Sequence, residues 1–242
     1  MYKIRLIGLL LLSGMSFTRL SLAQSFEIFK GDTINRTDKR GLKQGAWKKF
    51  YPGDMIYFEG IYKDDKALGA LKYYHKNGKV KTLLNSRAVK GEYFAEFFSE
   101  EGKMIGTGKY FNQEKDSVWN YFDSEGRVNS TEIYVKGKKE GVWKVYYVNG
   151  KLARELMYKN DRKNGPYREY FDSGKLKIQA TYKNDEFTGI ATVFHPDGKI
   201  WQKGSYVNGL KEGAWDIFDV NGKLERQELY KQGNLQNPQE DK

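Results

Sequence analysis

Two histidines are the side chains of this sequence best suited to proton transfer near neutral pH, because the ordinary pKa of imidazole lies close to that range. His75 and His195 occupy the same place in two similar segments, directly before a turn. The equivalent places elsewhere in the chain hold Tyr51, Ser99, Asp123, Tyr147, Phe171 and Asp219. A place that accepts such different side chains predicts a solvated, turn-flanking role for the histidines and not a catalytic one.

Other signatures of catalysis are absent from the sequence. The chain contains no cysteine that could act as a nucleophile. It also contains no G-x-S-x-G, no H-E-x-x-H and no phosphate-binding loop. We therefore predict that the protein is not an enzyme and uses no cofactor.

Three acidic or amide pairs, Asp64–Asp65, Asn160–Asp161 and Asn184–Asp185, carry the oxygen ligands that calcium prefers. Their spacing lacks the pattern of a calcium-binding loop, and turns favour Asn and Asp for conformational reasons. The sequence therefore predicts turn residues here and no metal site.

A basic residue follows the turn glycine in seven successive segments: Lys79, Lys103, Arg127, Lys151, Lys175, Lys199 and Lys223. If each segment is a hairpin, neighbouring members of this row lie about 10 Å apart and the row extends roughly 60 Å, because strands are about 4.8 Å apart. Such a basic edge could follow an anionic surface or polymer. Alternatively, lysine here favours the turn and protects the sheet edge from aggregation.

Five aromatic residues lie outside the positions that most segments share: Tyr57, Tyr73, Phe97, Tyr121 and Trp201. Because the repeat does not require them, they are candidates for stacking on a sugar or anchoring a partner protein. The alternative is that they form ordinary cross-strand pairs on the surface of a sheet.

The elements that position these residues repeat every 24 residues from about residue 45 to residue 230. A fixed period of this size is the signature of a repeat array in which each unit stacks on its neighbours. Tyrosine recurs at Tyr62, Tyr110, Tyr134, Tyr158, Tyr182, Tyr206 and Tyr230, and Ser86 interrupts that column. An aromatic residue occurs in all eight units at Phe50, Tyr74, Phe98, Phe122, Tyr146, Tyr170, Phe194 and Phe218.

Turn residues predict where the strands lie within a unit. Asn-Gly or Asp-Gly between apolar runs, as in K-N-G-K and P-D-G-K, indicates hairpins in which both residues tolerate positive φ. We predict strands over about 142–148 and 151–159, joined to other hairpins by polar loops such as residues 159–165. The fold class is therefore all-β, an elongated antiparallel array of about eight β-hairpin units.

The faces of the strands are partly defined by the spacing of side chains. On the second strand, Gly60, Gly108, Ala180 and Gly204 lie between apolar and tyrosine positions of the same face and predict room for a neighbouring ring. On the first strand, the tryptophan and aromatic columns are three residues apart, as in Trp143 and Tyr146. Either a bulge intervenes or both faces are partly covered.

The pattern G-x-W-x-x-Y-Y-x-N-G-K-L, followed by Y-K-N-D or Y-V-N-G, resembles the variant MORN repeat of bacterial proteins, including the YwqK-like family that is often labelled antitoxin. The resemblance covers about residues 41–235. It implies a MORN-like, elongated and twisted antiparallel sheet. Among MORN proteins it implies membrane lipid contacts, scaffolding and dimerisation, and the antitoxin label implies a cytoplasmic protein.

The start of the chain predicts export. Lys3 and Arg5 precede an apolar run at 6–17, and small residues follow before residue 24, as in a secretory signal peptide covering residues 1–23. The run is shorter than the roughly 20 residues that span a bilayer, and an uncleaved anchor is the alternative. We predict an N-terminal cap strand and partial repeat at 24–44, the repeat domain at 45–235 and a disordered tail at 236–242.

Loss of residues 1–23 removes three of the 42 basic residues and none of the 31 acidic ones, so the mature chain has a net charge of +8. We predict a periplasmic or extracellular scaffold of the cell envelope that binds a protein or an anionic surface or glycan. A glycan or cell-wall-binding module and a toxin-neutralising, immunity-type protein are the alternatives. Peripheral membrane contact is compatible with the charge, whereas no nucleic acid partner and, after signal cleavage, no transmembrane span are expected.

Overall fold

The computed structural model describes residues 24–87, 89 and 91–236. The predicted signal peptide at 1–23 and residues 237–242 of the predicted tail lie outside the described residues. The chain divides between Gln113 and Glu114 into two compact units. Each unit is described separately below.

Strands account for the secondary structure of the first unit in its described residues. β1 pairs with β2, β3 pairs with β4, and from β4 onwards the strands form an antiparallel sheet in chain order, in which β6 and β7 both pair with β5. The predicted cap region contains β1 to β3. The strands are β1 (Glu27–Phe29), β2 (Asp32–Ile34), β3 (Arg36–Thr37), β4 (Lys43–Phe50), β5 (Ile56–Lys63), β6 (Lys66–Ala67), β7 (Ala70–Tyr74), β8 (Val80–Ser86), β9 (Glu92–Phe98) and β10 (Met104–Phe111).

The second unit is likewise built from antiparallel strands, which confirms the all-β hairpin array. Each strand except β13 pairs with the next one in the chain, and β12 pairs with both β13 and β14. The strands are β11 (Glu114–Phe122), β12 (Val128–Val135), β13 (Lys138–Lys139), β14 (Gly141–Tyr146), β15 (Leu152–Lys159), β16 (Arg162–Tyr170), β17 (Leu176–Lys183), β18 (Glu186–Phe194), β19 (Ile200–Val207), β20 (Leu210–Phe218), β21 (Leu224–Lys231) and β22 (Asn234–Leu235).

The Asn-Gly turns differ from the prediction in their conformation. In the turn between β14 and β15, the backbone N–H of Tyr147 donates to the carbonyl oxygen of Lys151 at 2.8 Å. Gly150 has a φ of 79°, whereas Asn149 is not in the left-handed region. Its Oδ1 instead accepts the backbone N–H of Lys151 at 3.0 Å. The prediction of positive φ at both residues was wrong, because this longer turn needs only one left-handed residue and uses the asparagine as a side-chain acceptor.

The segments predicted as loops between hairpins are mostly strand. Lys159 pairs with Arg162, so β15 and β16 are joined by two residues only. These are Asn160 and Asp161, both left-handed, with φ of 49° and 70°. The loop prediction was wrong because Asn and Asp tolerate a tight two-residue turn whose twist matches the strands.

Each of the eight repeat hairpins carries a β-bulge on its second strand. Val145 pairs with Arg154 and Tyr146 with Leu152, so Ala153 has no opposite residue. The first strand is therefore regular, and its two aromatic columns lie on opposite faces of the sheet. The extra residue of the bulge belongs to the second strand. The equivalent unpaired residues are Tyr57, Lys81, Ile105, Asn129, Lys177, Trp201 and Glu225.

The core of each unit lies on one face of its sheet, which we call the tryptophan face. Trp119 and Trp215 are each only 1% exposed. A Cβ added to Gly204 would lie 2.3–2.4 Å from the ring of Trp215, so the predicted room for an aromatic ring exists here. At Gly60 the close neighbour is Leu71 and not a ring. The face is formed around Trp47, Leu71, Ala95, Trp119, Trp143, Tyr167, Ala191 and Trp215.

Replacement of Gly204 by Ala is expected to lower the free energy of unfolding by about 1–3 kcal/mol, the range for overpacking a core. The added methyl group meets the indole of Trp215, which hydrogen-bonds to Ser205 and cannot simply rotate away. Chemical denaturation followed by tryptophan fluorescence measures the change.

The control combines Gly204→Ala with Trp215→Tyr. Two repeats earlier, Leu156 occupies the place of Gly204 and lies directly opposite Tyr167, so a side chain is accommodated beside a tyrosine there. Partial recovery of stability is expected. A single variant as stable as the parent protein would contradict this packing.

Candidate functional site

The two histidines bridge successive turns. His75 Nε2 lies 2.9 Å from the carbonyl oxygen of Phe98, and His195 Nε2 lies 3.4 Å from that of Phe218. Because a carbonyl only accepts, Nε2 carries the proton. The hydroxyl of Tyr147 donates an equivalent bond to the next unit at 2.7 Å. The histidines are therefore half-buried structural donors, and not solvated as predicted.

Four members of the predicted basic edge make a second bond from their own turn to the next one. Lys151 Nζ donates to the carbonyl of Ser173 at 2.8 Å, while its aliphatic chain packs over Gly174. We call these turn-to-turn bonds the turn ladder. The same lysine bond joins Lys79 to Glu101 at 3.0 Å, Lys175 to Asp197 at 3.0 Å and Lys199 to Val220 at 2.9 Å.

The remaining basic-edge residues are placed differently. Arg127 Nε donates to Asp123 Oδ2 at 2.8 Å within its own turn. The backbone N–H of Lys103 donates to Ser99 Oγ at 3.4 Å. Lys223 belongs to the last turn on this edge, and its ammonium has no bonding partner among the described residues. The row thus exists as a set of turn residues, most of whose charged groups also stabilise the stack.

The acidic residues considered as calcium ligands act as turn acceptors. Asp161 Oδ1 accepts the backbone N–H of Lys139 at 2.8 Å, which ties the tight turn to the preceding hairpin. Asp65 and Asp185 make the same bond to the N–H groups of Lys43 and Lys163, each at 2.8 Å. Within residues 24–87, 89 and 91–236, no group of three or more His, Asp or Glu side chains is arranged to hold a metal ion.

Lysines enclosed by aromatic rings form a feature that the sequence analysis missed. Lys211 Nζ lies 4.1 Å from the ring centroid of Trp215 and 4.5 Å from that of Tyr230. Burial lowers the pKa of Lys211 from its usual value, and the ring faces stabilise the remaining charge. The signal was the repeated column itself. Lys43, Lys115 and Lys139 contact both corresponding rings, and Lys163 contacts Tyr182. The other repeats have Ala67, Gly91 and Phe187 in this column.

The candidate aromatics do not form one site. In the first unit, the ring centroids of Tyr57 and Tyr73 are 5.9 Å apart, and Tyr51 lies 5.4 Å from Tyr57. These three rings form the tyrosine cluster. Tyr57 occupies the bulge, which turns its ring outwards so that it is 37% exposed. Phe97 is half-buried on β9.

The two candidate aromatics of the second unit are separated from each other. Tyr121 lies beside Trp119, with centroids 6.4 Å apart, and Lys115 Nζ contacts its ring. Trp201 occupies a bulge, is 46% exposed and lies 6.0 Å from the ring of His195.

A row of exposed and half-exposed aliphatic side chains crosses the second unit on the face opposite the tryptophan face. Val118 lies opposite Ile133, and Val142 lies opposite Met157. The sequence analysis missed this row because it followed aromatic and charged columns, although apolar residues alternate on both faces of these strands. We call it the aliphatic stripe: Val118, Ile133, Val142, Met157, Ile190 and Leu229.

No helix in the described part of the chain is long and apolar enough to cross a membrane.

The turn ladder gives a direct prediction for stability. Lys151→Ala removes the bond to Ser173 and the packing over Gly174, and is expected to lower the free energy of unfolding by about 0.5–1.5 kcal/mol. Lys223→Ala is the matched control, because Lys223 lies in the last turn of this edge and its ammonium bonds to no later turn in the described chain. Thermal or chemical unfolding measures both. Equal losses in the two variants would contradict the ladder.

Comparison with known proteins supports the repeat type. No curated protein matches the chain. Similar solved structures include TarM, with 15% identity over 44% of this chain and 22% of that chain and a TM-score of 0.31. An S. aureus TarM mutant in complex with Fondaparinux, alpha-GlcNAc-glycerol and UDP has 13% identity over 46% of this chain and 21% of that chain, with a TM-score of 0.32.

The chain spans only about a fifth of these solved structures. Four of its segments match the MORN repeat variant: residues 68–86, 139–160, 163–184 and 187–208. The last three follow one another at the period of the repeat and coincide with hairpins of the second unit. The chain therefore carries MORN-variant repeats in these four segments.

Proposed function

We propose that this protein is a non-enzymatic repeat scaffold, exported to the cell envelope, that binds a partner protein through the aliphatic stripe. The observation that carries the proposal is the exposure of this stripe, in which Ile190 is 62% and Leu229 55% exposed. Contiguous apolar surface on a folded protein commonly marks an interaction site. A sheet of repeats presents such a surface over several strands without needing a cavity.

We propose a non-enzymatic function because the histidine and aspartate side chains make structural hydrogen bonds. His75 and His195 are engaged with backbone carbonyls of the next turn. The carboxylates of Asp161 and Asp185 hold backbone N–H groups. These side chains are used to build the repeat, which favours a scaffold over an enzyme.

Export and the compartment remain part of the proposal, supported by the basic and apolar segment at 1–23. The basic edge is a weaker support for an anionic envelope surface, because four of its lysines are engaged in the turn ladder. The resemblance to the YwqK-like family suggests one form that protein binding could take, in which the partner is a toxin.

A second candidate function, glycan binding, is favoured by the tyrosine cluster of the first unit. Three partly exposed rings, with neighbouring centroids 5.4 and 5.9 Å apart, resemble the stacking surfaces that sugars use. On a glycan array, Tyr57→Ala and Tyr73→Ala are expected to lose signal relative to the parent protein, whereas Trp201→Ala serves as a distant aromatic control. Equal signals in all proteins would exclude a saccharide site at this cluster.

The scaffold proposal is tested by capturing partners of residues 24–242 from the envelope of the native cells, with crosslinking and mass spectrometry. A double variant, Val142→Asp with Ile190→Asp, is expected to reduce recovery of the dominant protein by about tenfold or more, because charges in the centre of an apolar interface cost several kcal/mol.

Val220→Asp is the matched control, since Val220 is 64% exposed but lies in a turn outside the stripe. It is expected to recover the partner as the parent protein does. Circular dichroism confirms that all variants are folded. Undiminished capture by the double variant would contradict binding through the stripe, and recovery of saccharide alone would favour the glycan function.

A further inference from the structure

The repeat allows equivalent places on the face of the aliphatic stripe to be compared with one another. In one hairpin of the second unit, a glutamate holds a basic residue and a tyrosine of the next strand. Glu155 Oε1 accepts a hydrogen bond from Arg168 Nη1 at 2.9 Å and one from the hydroxyl of Tyr170 at 3.2 Å. The carboxylate thereby neutralises the arginine and satisfies the hydroxyl.

The first unit contains the same arrangement. Glu59 Oε1 accepts the hydroxyl of Tyr74 at 2.6 Å, and Lys72 Nζ lies 3.4 Å from it. Burial and this carboxylate raise the pKa of Tyr74 to about 12. The glutamate, the base and the tyrosine keep the same spacing along the chain in both units, so this is a recurrent carboxylate site of the fold.

A third place has the base and the tyrosine but lacks the glutamate. Lys144 and Tyr146 are equivalent to Arg168 and Tyr170 of the next repeat. Thr131 occupies the place that Glu155 has in that repeat. Thr131 pairs directly with Lys144, and its hydroxyl donates to Asn120 Oδ1 at 3.0 Å. Lys144 lies directly opposite Glu155 on β15, but among the described residues their charged groups form no salt bridge, and the Tyr146 hydroxyl has no carboxylate partner.

A cavity of about 510 Å³ lies over Thr131 and Tyr146. Its volume falls in the range of pockets that bind small molecules, about 300–1,000 Å³. Phe122, Val128 and Val148 supply apolar walls. The place is therefore a shallow, open depression lined by these side chains.

The cavity is open because the turn ladder is interrupted beside it. Arg127 occupies the ladder position but binds Asp123 in its own turn through Nε, and neither residue donates to the following turn in the described structure. Both Nη groups of Arg127 are left without a partner among the described residues. In the next gap, Lys151 and Tyr147 close the equivalent space.

Charge is also altered at this place. Val148 stands one repeat before Asp172, as Thr131 does before Glu155, so two carboxylates of the next unit are replaced by uncharged side chains. Lys144 remains beside the cavity, opposite Thr131, whereas the charge of Arg127 is paired with Asp123. The cavity therefore combines apolar walls with the donor groups of Asn120, Tyr146 and the Nη atoms of Arg127.

We propose that this cavity binds a carboxylate carried on an apolar peptide residue, namely the free C-terminus of a partner chain. The ligand's carboxylate would take the part that Glu155 plays in the next unit, accepting from Tyr146 and Lys144. Asn120 adds a third donor, because its Oδ1 is already engaged by Thr131 and its Nδ2 is not.

The peptide class follows from the surroundings of the cavity. Val118 and Ile133 of the aliphatic stripe lie on the same strands and the same face, two residues from Asn120 and Thr131. A chain crossing the stripe can thus end in the cavity with its last side chain against Val128. This inference rests on the proposed function in that the partner is a protein.

The test is calorimetric titration of the folded protein with acetyl-Ala-Ala-Leu, either as the free acid or as the C-terminal amide. We expect the free acid to bind and the amide to bind about tenfold more weakly or not at all, since one charge-assisted contact is worth a factor of that size. Thr131→Glu should abolish binding by supplying an internal carboxylate, and Tyr146→Phe should weaken it.

The Tm of Thr131→Glu is expected to be unchanged or raised by up to about 3 °C, because the variant gains a surface ion pair. Loss of binding without a loss of Tm shows that the site is filled and the protein is still folded. Thr192→Glu is the matched control, because it places the same charge on the same face opposite Lys203. It should bind the peptide acid as the parent protein does.

Equal binding of acid and amide, or full binding by Thr131→Glu, would overturn the proposal. Binding of glucuronic acid but not of the peptide acid, abolished by Thr131→Glu, would also overturn it and assign the cavity to an acidic sugar. The titration needs no partner protein, so peptide binding can be detected even if the Val142→Asp, Ile190→Asp variant captures the partner as well as the parent protein does. The failures of the two proposals are therefore distinguishable.

Discussion

Contact between each hairpin and the next is the constraint on which this structure depends. The tryptophan face of each unit is covered mainly by its own side chains, so Trp215 must lie against the backbone of the preceding strand at Gly204. At the edges, each turn must also satisfy carbonyl groups of the following turn, as Lys151 does for Ser173. Both contacts join residues that lie within one repeat of each other. An array of this kind gains stability from nearest-neighbour interfaces and not from one central core.

The same dependence explains why departures from the repeat carry functional information. When one repeat has a different residue at a shared position, the contact that it lacks can be identified from the equivalent position of the neighbouring repeat. Thr131 replaces a carboxylate, and Arg127 turns back onto Asp123 in place of bridging to the next turn. Together they leave a lined cavity where the next unit is closed. By contrast, Phe187 replaces a caged lysine with a stacked ring and preserves the packing, so that departure has a structural explanation.

The two surfaces of the second unit that we propose for binding share one face. The aliphatic stripe and the cavity lie opposite the tryptophan face, and this division allows the packing of one side to be kept while the other is free to bind. The tyrosine cluster belongs to the first unit and owes its exposure to the bulge at Tyr57. The surfaces that we propose for binding are columns of side chains contributed by several strands.

Much of this fold could be predicted from the chain because its determinants are local. The repeat period, the β-hairpin content and the small residue against the ring of Trp215 follow from patterns within one or two repeats. The turn types were predicted wrongly, because Asn-Gly and Asn-Asp both tolerate left-handed backbone and only strand pairing decides which forms the two-residue turn.

The sequence by itself determined the repeat, its β-hairpin content and the columns of aromatic and basic residues. Only the tertiary structure decided which side chains are engaged and which are exposed. The bulges expose Tyr57 and Trp201, and the turn ladder engages the basic edge. The aliphatic stripe and the missing carboxylate at Thr131 were likewise visible only in the structure. The physical reason is that these features depend on the register between neighbouring strands and turns, and a periodic sequence does not reveal which atoms that register brings within bonding distance.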